Sequence, residues 1–285
     1  MFYFEQILQT ALNGLDASNM TGVINVAQWV LIAAVIAAVF KAWRDWDPAQ
    51  LGVTLIRLLV IGLIFANYGT VFRDVNGMFT SVAHYIDNTT AGGVDVFSKW
   101  TTDLGAYWSQ QGMPSLFGLI IGALAGLVES LLLLIGYLAY PVAAAIFALL
   151  YILYGSILYA TGPLVLGLFP APPLYPIART YVINLMIFNA WSIVYSIFGA
   201  LMAAIGMNSV SNVLASGNFL GMFTGVSNSL LLGLASVLFS VCLMLIPVLS
   251  YMIVKGDVGQ SVMLIARTTY AAGKGIASLF KHNGG

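Results

Sequence analysis

Hydrophobic residues follow a helical period from the start of the chain. Within residues 1–22 the apolar positions are Phe4, Ile7, Leu8, Ala11, Leu12 and Leu15. This spacing places them along one face of a helix, while polar residues occupy the remainder. The segment therefore predicts a short amphipathic helix that lies on the membrane surface.

Two longer apolar runs follow within residues 23–72, at 23–43 and 53–72. Each run has about 20 residues, which at 1.5 Å per residue is enough to cross a hydrocarbon core of about 30 Å. Arg57 lies close to the start of the second run, where a long side chain reaches the lipid headgroups. The loop that follows Lys41 is basic at its edge and is expected in the cytoplasm, which places the amino terminus outside.

Residues 73–115 form a polar stretch after these two predicted crossings and are expected outside. The charged residues there are Arg73, Asp74, Asp87, Asp95, Lys99 and Asp103. Aromatic residues mixed with polar ones suit a surface that docks on the bilayer or on a partner. An interfacial helical hairpin that covers the bundle is the alternative.

The stretch 116–168 contains Glu129 as its single charged residue. As one helix it would extend about 80 Å, well over twice the hydrocarbon thickness, so we expect a break and a kink at Pro141. We favour one crossing at 139–159, with 116–138 as an outer arm, because three crossings would need about 51 apolar residues plus turns. A two-span hairpin is the alternative.

A proline-rich turn at residues 162–179 is predicted on the inner side. Gly162 and Pro163 are expected to end the preceding helix. The turn itself contains Pro170, Pro172, Pro173 and Pro176. It divides the apolar bundle predicted over residues 116–254.

Two more spans complete this bundle, at 177–205 and 230–254. The tail 255–285 carries Lys255, Arg267, Lys274 and Lys281 against Asp257 alone. By the positive-inside rule the carboxyl terminus is cytoplasmic, and an odd number of crossings, about five, follows. The predicted fold class is all-α, a polytopic transmembrane protein with interfacial or arm helices.

Composition supports the membrane location. Hydrophobic residues make up 60% and charged residues 7% of the chain, and the mean hydropathy is +0.96. A water-soluble domain carries about 25% charged residues, so this chain cannot cover itself with a polar surface. Ten basic and ten acidic side chains cancel, which excludes a strongly basic nucleic-acid-binding domain.

The residue pattern does not support a catalytic site or a cofactor-binding site. No phosphate-binding loop of the form GxxxxGK[ST] is present, so any energy must come from partners or an ion gradient. His84 and His282 are far apart, and Cys242 is the single cysteine. These residues offer neither a metal-ligand cluster nor a disulfide. We expect a non-enzymatic protein without cofactors.

Glu129 and Arg179 are the two charges between Asp103 and Lys255. A charge at bilayer depth costs roughly 3 kcal/mol or more, so such groups face water, a partner or a bundle interior. Glu129 is expected near the outer interface. Arg179 either extends to the inner headgroups or contacts a phosphate or a neighbouring subunit's carboxylate at the inner mouth.

Small and amide residues predict helix contacts. Gly118, Gly122 and Gly126 fall at every fourth position, which lets two apolar helices approach closely. Asn184 and Asn189 lie on a later predicted span, where buried amides form interhelical hydrogen bonds. We expect all five to serve bundle or oligomer packing.

The stretch 162–191 carries a resemblance to a known family. Its motif consists of Gly162, Pro163, Leu164, Phe169, Pro170, Arg179 and Trp191. It resembles the signature region of the TrbL-like polytopic inner-membrane subunits of type IV secretion and conjugation systems. That family typically has a Gly-Pro-Leu start, a Phe-Pro stop, a basic turn and a following span with a tryptophan.

The resemblance implies a multi-pass subunit of the bacterial inner membrane that forms a homo-oligomeric ring in the lipid bilayer. Such subunits help DNA or protein cargo to pass and support pilus assembly, beside a secretion ATPase, a bitopic scaffold subunit and pilin subunits. It implies that Gly162, Pro163 and Pro170 shape the inner turn and that Arg179 lines or anchors it. The outer loop 73–115 would meet pilus or scaffold components.

A secondary transporter or small-solute channel is the main alternative. Its site would lie among broken helices in two matching halves of the chain. No internal repeat is visible in the sequence. A holin-like pore former is a third possibility.

Overall fold

A computed structural model describes residues 2–18, 20–46, 48–90, 93, 95–111, 124–171, 173–215 and 228–256. Helices make up 91% of the structure, and the described residues contain no strand. Four helices are long and apolar enough to cross a membrane, or five if one bent pair counts as a further span. The predicted all-α polytopic fold is confirmed, and the chain is a multi-pass membrane protein.

The helices are numbered in chain order. The amino-terminal set is α1 Tyr3–Ser18, α2 Met20–Arg44, α3 Pro48–Ala66, α4 Tyr68–Thr90 and α5 Val96–Gln111. The remaining set is α6 Leu124–Gly167, α7 Tyr175–Ala204, α8 Val210–Leu214 and α9 Asn228–Lys255. Candidate spans lie in α2, α6, α7 and α9, and the bent pair is α3 with α4.

Helix α1 forms as predicted, and its apolar face packs into the bundle, while its location at the membrane surface stays a prediction. Leu8 and Leu12 are fully buried, and Phe4 is 4% exposed. The helix packs against α6, where the ring of Phe4 meets Tyr151 edge-on at 4.6 Å. The apolar face of α1 therefore packs on protein, since α6 offers it a complementary aromatic surface.

The second predicted span, residues 53–72, is broken. Helix α3 ends at Ala66, α4 begins at Tyr68, and the two meet at 89°. Helix α4 then runs through residues that the sequence predicted as an outer loop, and it packs along α7. Its buried positions, at helical spacing, are Tyr68, Phe72, Asn76, Ala83 and Asp87. Because these side chains form one stripe, α4 joins the bundle instead of covering it.

Helices α4 and α7 run in the same direction. Near the start of each helix, Tyr68 lies 3.3 Å from Tyr181 between their hydroxyl oxygens. Further along both helices, the side chain of Asn76 donates to the Asn189 amide oxygen. This matched order places the end of α4 beside the end of α7.

Helix α6 is continuous through both Pro141 and Pro163 and ends at Gly167. The helix end predicted at Gly162 is therefore wrong. The candidate span within it is Leu138–Gly167, longer than the predicted crossing at 139–159. The predicted arm and crossing belong to one helix where both are described, and residues 116–123 lie outside the described part of the chain.

Aromatic side chains fill the interior of the bundle. The fully buried large residues include Trp100, Tyr140, Tyr151, Tyr159, Phe188 and Phe239. Trp100, which the sequence placed in the outer loop, stacks on Phe239 at 4.8 Å, and its indole N–H donates to Ser236. Helix α5 is therefore part of the packed core.

Candidate functional site

Gly162 forms a notch on α6 that accepts two tyrosine side chains. Tyr68 approaches from α4 and Tyr181 from α7, and a methyl group at Gly162 would overlap both hydroxyl oxygens. Glycine is therefore required sterically at this position, since no larger residue leaves room for the two rings. The first residue of the sequence motif is thus the point where α4, α6 and α7 meet.

Pro163 accounts for the position of Tyr68. Proline has no backbone N–H, so the carbonyl of Tyr159, four residues earlier, lacks its helical donor. The hydroxyl of Tyr68 donates to that carbonyl at 2.9 Å, and since lipid supplies no donors, this bond allows α6 to continue to Gly167. The hydroxyl of Tyr181 donates to the carbonyl of Leu158 at 2.8 Å, which adds a bond between α7 and α6.

The turn after α6 packs closely on α2. A side-chain carbon at Gly167 would lie 3.0 Å from the backbone oxygen of Ala27, so this glycine permits the contact. Within the turn, the rings of Phe169 and Tyr175 meet edge-on at 5.0 Å. Pro170 is buried beside them. Leu164, one turn before the end of α6, packs on the core.

Arg57 is held against this turn. Its guanidinium lies over the ring of Tyr175 at 4.9 Å and over that of Phe169 at 5.5 Å. Such cation–π contacts contribute about 0.5 to 2 kcal/mol, depending on desolvation. The sequence predicted a side chain that extends freely to the headgroups, whereas the structure stacks it and thereby joins α3 to the turn.

Arg179 lies one helical turn after Tyr175 and is exposed. Residues four apart occupy the same face of a helix, so Tyr175 and Arg179 are neighbours on α7. The ion pairs within the described residues involve Arg44, Arg73 and His84, and none involves Arg179. Its guanidinium is therefore available to an anion from outside the described chain.

The other predicted residues are distributed along the bundle. Trp191 is buried, its ring stacks on Tyr154 at 5.7 Å, and its indole N–H has no partner among the described residues. Asn189 is fully buried and accepts from Asn76 at 2.8 Å. Asn184 is half-buried.

Four residues predicted for packing or charge are described in part or not at all. Gly118 and Gly122 lie outside the described residues, while Gly126 lies in α6. Glu129 also lies in α6, and its side chain is outside the described part of the structure. The close helix contact and the outer-interface location predicted for them stay predictions.

A buried ionisable pair is the feature that sequence reasoning missed. Glu5 is 4% exposed, and its Oε2 accepts from the backbone N–H of Phe2 and lies 3.1 Å from Nε2 of His84. Its Oε1 has no partner among the described residues. Burial raises the pKa of Glu5, and the neighbouring His84 opposes that shift. The sequence signal for this pair was a charged residue, Glu5, next to the apolar positions of α1.

Asp95 caps α5 nearby. It accepts backbone hydrogen bonds from Phe97 and Ser98 and a 2.8 Å bond from the hydroxyl of Tyr195. These bonds satisfy the first turn of α5 and attach it to α7. Asp87 lies buried at the end of α4, so two carboxyl groups predicted for the outer loop belong to the bundle.

A cleft of about 620 Å³ opens between α1, α5 and α6. Its lining is mostly apolar, with hydroxyl groups of Thr101 and Thr102 at one edge, and contains no charged residue. No three His, Cys, Asp or Glu side chains are grouped for a metal ion within the described ranges.

Comparison with known proteins adds no relative. No protein-family model, no curated protein and no solved structure matches the chain. The role of the protein is therefore inferred from the motif and from the geometry around it.

Proposed function

We propose that this protein is a non-enzymatic inner-membrane channel or platform subunit of a type IV secretion machine of the conjugative kind. It would help DNA or protein substrates to pass and would support pilus assembly. In this role the protein forms a ring of identical copies and works beside a secretion ATPase, a bitopic scaffold subunit and pilin subunits.

The geometry of the motif at 162–191 carries the proposal. Beside Gly162 and Pro163, tyrosine hydroxyls from α4 and α7 donate to the carbonyls of Tyr159 and Leu158, and Arg179 is exposed just after the turn. A planar guanidinium in such a position suits paired hydrogen bonds to a phosphate or a carboxylate. An organised turn that ends in an available cation fits a contact with cargo or with another subunit.

The packed interior also favours a platform over a channel within one chain. Aromatic rings occupy the centre of the bundle, whereas a polar cargo needs a hydrated path. Cargo would therefore pass between copies or between subunits. In this proposal, ring formation and partner binding are needed to form that path.

A conjugation assay with Arg179→Ala tests the proposal. Loss of a charge-assisted contact should lower transfer frequency at least about tenfold, while the amount of protein in the membrane stays unchanged. Arg44→Ala is the matched control, because Arg44 is exposed and already paired with Asp45. Equal transfer by wild type and Arg179→Ala would remove the inner turn from the mechanism.

A secondary transporter or small-solute channel is the second candidate, and the Glu5–His84 pair favours it. Ionisable groups inside a membrane bundle are common in proton-coupled transport. Proteoliposomes with a pH-sensitive dye would distinguish the two roles. Proton flux that Glu5→Gln abolishes supports transport, whereas a ring that retains pilin or ATPase in mild detergent supports secretion.

A further inference from the structure

Two arginines flank one tyrosine at the junction of α3, the inner turn and α7. Arg57 lies over the ring of Tyr175, and Arg179 follows Tyr175 by four residues on the same face of α7. Adjacent positions on such a face have Cβ atoms about 6 Å apart. Arg57 and Arg179 therefore both lie beside Tyr175, although they belong to two different helices.

Among the described residues, no ion pair involves either arginine. Helices α3 and α7 and the turn between α6 and α7 contain no Asp or Glu. Asp45 is bonded to Arg44, and Asp47, directly before α3, lies outside the described residues. The charge of the two arginines therefore calls for an anion from outside these elements.

Exposed apolar side chains border Arg57. Val53 and Val60 lie four residues before and three residues after Arg57 on the same face of α3, and each is 46% exposed. In a multi-pass membrane protein these side chains face acyl chains. A cationic surface with an apolar border matches a molecule that joins an anionic head to hydrocarbon tails.

We propose that Arg57, Tyr175 and Arg179 bind the phosphate headgroup of an anionic phospholipid. The two guanidinium groups hold the phosphate oxygens, Tyr175 fixes the orientation of Arg57, and the acyl chains lie along Val53 and Val60. The lipid joins α3 to α7 and holds the inner turn in place. The lipid phosphate takes the place of the cargo or subunit contact suggested above for Arg179, so the inference replaces that detail and leaves the proposed secretion role itself unchanged.

A lipid explains the surface better than a nucleic acid does. Proteins that bind single strands combine a groove of several cations with exposed aromatic rings for base stacking. Here the ring of Tyr175 is already covered by Arg57, and the neighbouring exposed residues are aliphatic. A soluble polyanion would leave those aliphatic side chains in water.

Thermal unfolding of the delipidated protein in a neutral detergent tests the site. Added phosphatidylglycerol should raise the unfolding midpoint more than phosphatidylcholine does, because a ligand that binds only the folded state stabilises it. Native mass spectrometry should detect retained phosphatidylglycerol on the same sample. In Arg57→Ala with Arg179→Ala the apparent affinity should fall at least about tenfold, the equivalent of one strong charged contact.

Two variants keep the test decisive. Arg44→Ala removes an exposed arginine elsewhere and should retain the lipid preference. If the double alanine variant does not fold, Arg57→Lys with Arg179→Lys keeps the charge and should weaken, but not abolish, the preference, because lysine lacks the planar fork. Equal stabilisation by the two lipids, or equal loss in Arg44→Ala, would overturn the proposal. Stabilisation by single-stranded DNA or inorganic phosphate, without any by phosphatidylglycerol, would also overturn it.

Discussion

Pro163 illustrates how a single residue determines the side chains around it. A proline within a membrane helix leaves a carbonyl without a donor, and an unsatisfied carbonyl in hydrocarbon costs several kcal/mol. The hydroxyl of Tyr68 satisfies the Tyr159 carbonyl, and Gly162 provides the space for it. The Gly-Pro pair and the tyrosines therefore form one unit.

A double-mutant cycle at Tyr68 and Pro163 tests this unit. In the wild-type background, Tyr68→Phe should destabilise the fold by about 1 kcal/mol or more, because the Tyr159 carbonyl loses its donor. With Pro163→Ala, the new backbone N–H bonds that carbonyl, so the same Tyr68→Phe change should cost measurably less. Reversible unfolding in detergent measures both values.

Tyr85→Phe serves as the matched control for this cycle, since Tyr85 lies on the same helix and is 70% exposed. It should leave stability unchanged in both backgrounds. Strictly additive effects of Tyr68→Phe and Pro163→Ala would contradict the inferred replacement of the backbone bond.

At the scale of elements, α1 and α4 differ most from what the sequence predicted. The apolar stripe of α1 predicted the helix correctly, because the period of apolar residues depends only on local order. The period does not distinguish lipid from protein as the partner of that stripe. The α4 stripe mixes aromatic, amide and carboxyl side chains, so its burial depended on partners on α7.

The docking of α1 should depend on pH. Burial favours neutral Glu5, so its folded pKa exceeds the ordinary value of 4.5, despite the opposing His84. The resulting stabilisation is complete below the unfolded pKa and is lost as pH rises through the folded pKa. We expect the thermal midpoint of the detergent-solubilised protein to fall as pH rises above the ordinary Glu pKa of 4.5 and through the raised pKa of folded Glu5.

Glu5→Gln should remove the part of this fall that Glu5 causes, since glutamine does not ionise. Scanning fluorimetry of both proteins across the same pH range measures the difference. Parallel curves for the variant and the wild type would show that Glu5 does not link the docking of α1 to pH.

At the scale of the whole molecule, the directions of α4, α6 and α7 alternate in the order expected for three of the predicted crossings. Helices α4 and α7 share one direction, and α6 runs opposite to them, because Tyr68 meets Tyr159 while Asn76 meets Tyr151. Counting the bent pair α3 and α4 as one span gives five candidate spans among the described residues, and it is the second of them along the chain. Thr89, at the end of α4, lies on the side predicted as outside.

Cysteine labelling tests this orientation. In a background where Cys242 is replaced by Ala, Thr89→Cys should react with an impermeant maleimide in intact cells. Trp46→Cys should react only after permeabilisation, because the basic loop after α2 is predicted inside. Both positions are exposed, so a difference reports the side of the membrane. Labelling of both from the same side would overturn the five-crossing order.

The sequence alone determined the membrane location, the all-α class and most of the spans. Lipid accepts apolar surface and supplies no hydrogen-bond partners, so long apolar runs must become helices whatever their neighbours. The membrane location, the fold class and the spans therefore depend on the order of residues along the chain and not on which helices pack together. The motif at 162–191 was also found from the sequence, but the structural reason for its Gly-Pro pair was not.

Only the tertiary structure decided which protein surfaces these helices share. The donor that satisfies the Tyr159 carbonyl lies 91 positions away, and the partner of Glu5 lies 79 positions away. Side chains so distant in the chain meet because several helices pack together. The spacing of apolar residues within one helix does not predict which residues of another helix it contacts. The same packing brought Arg57 to Tyr175 and placed α1 in the core.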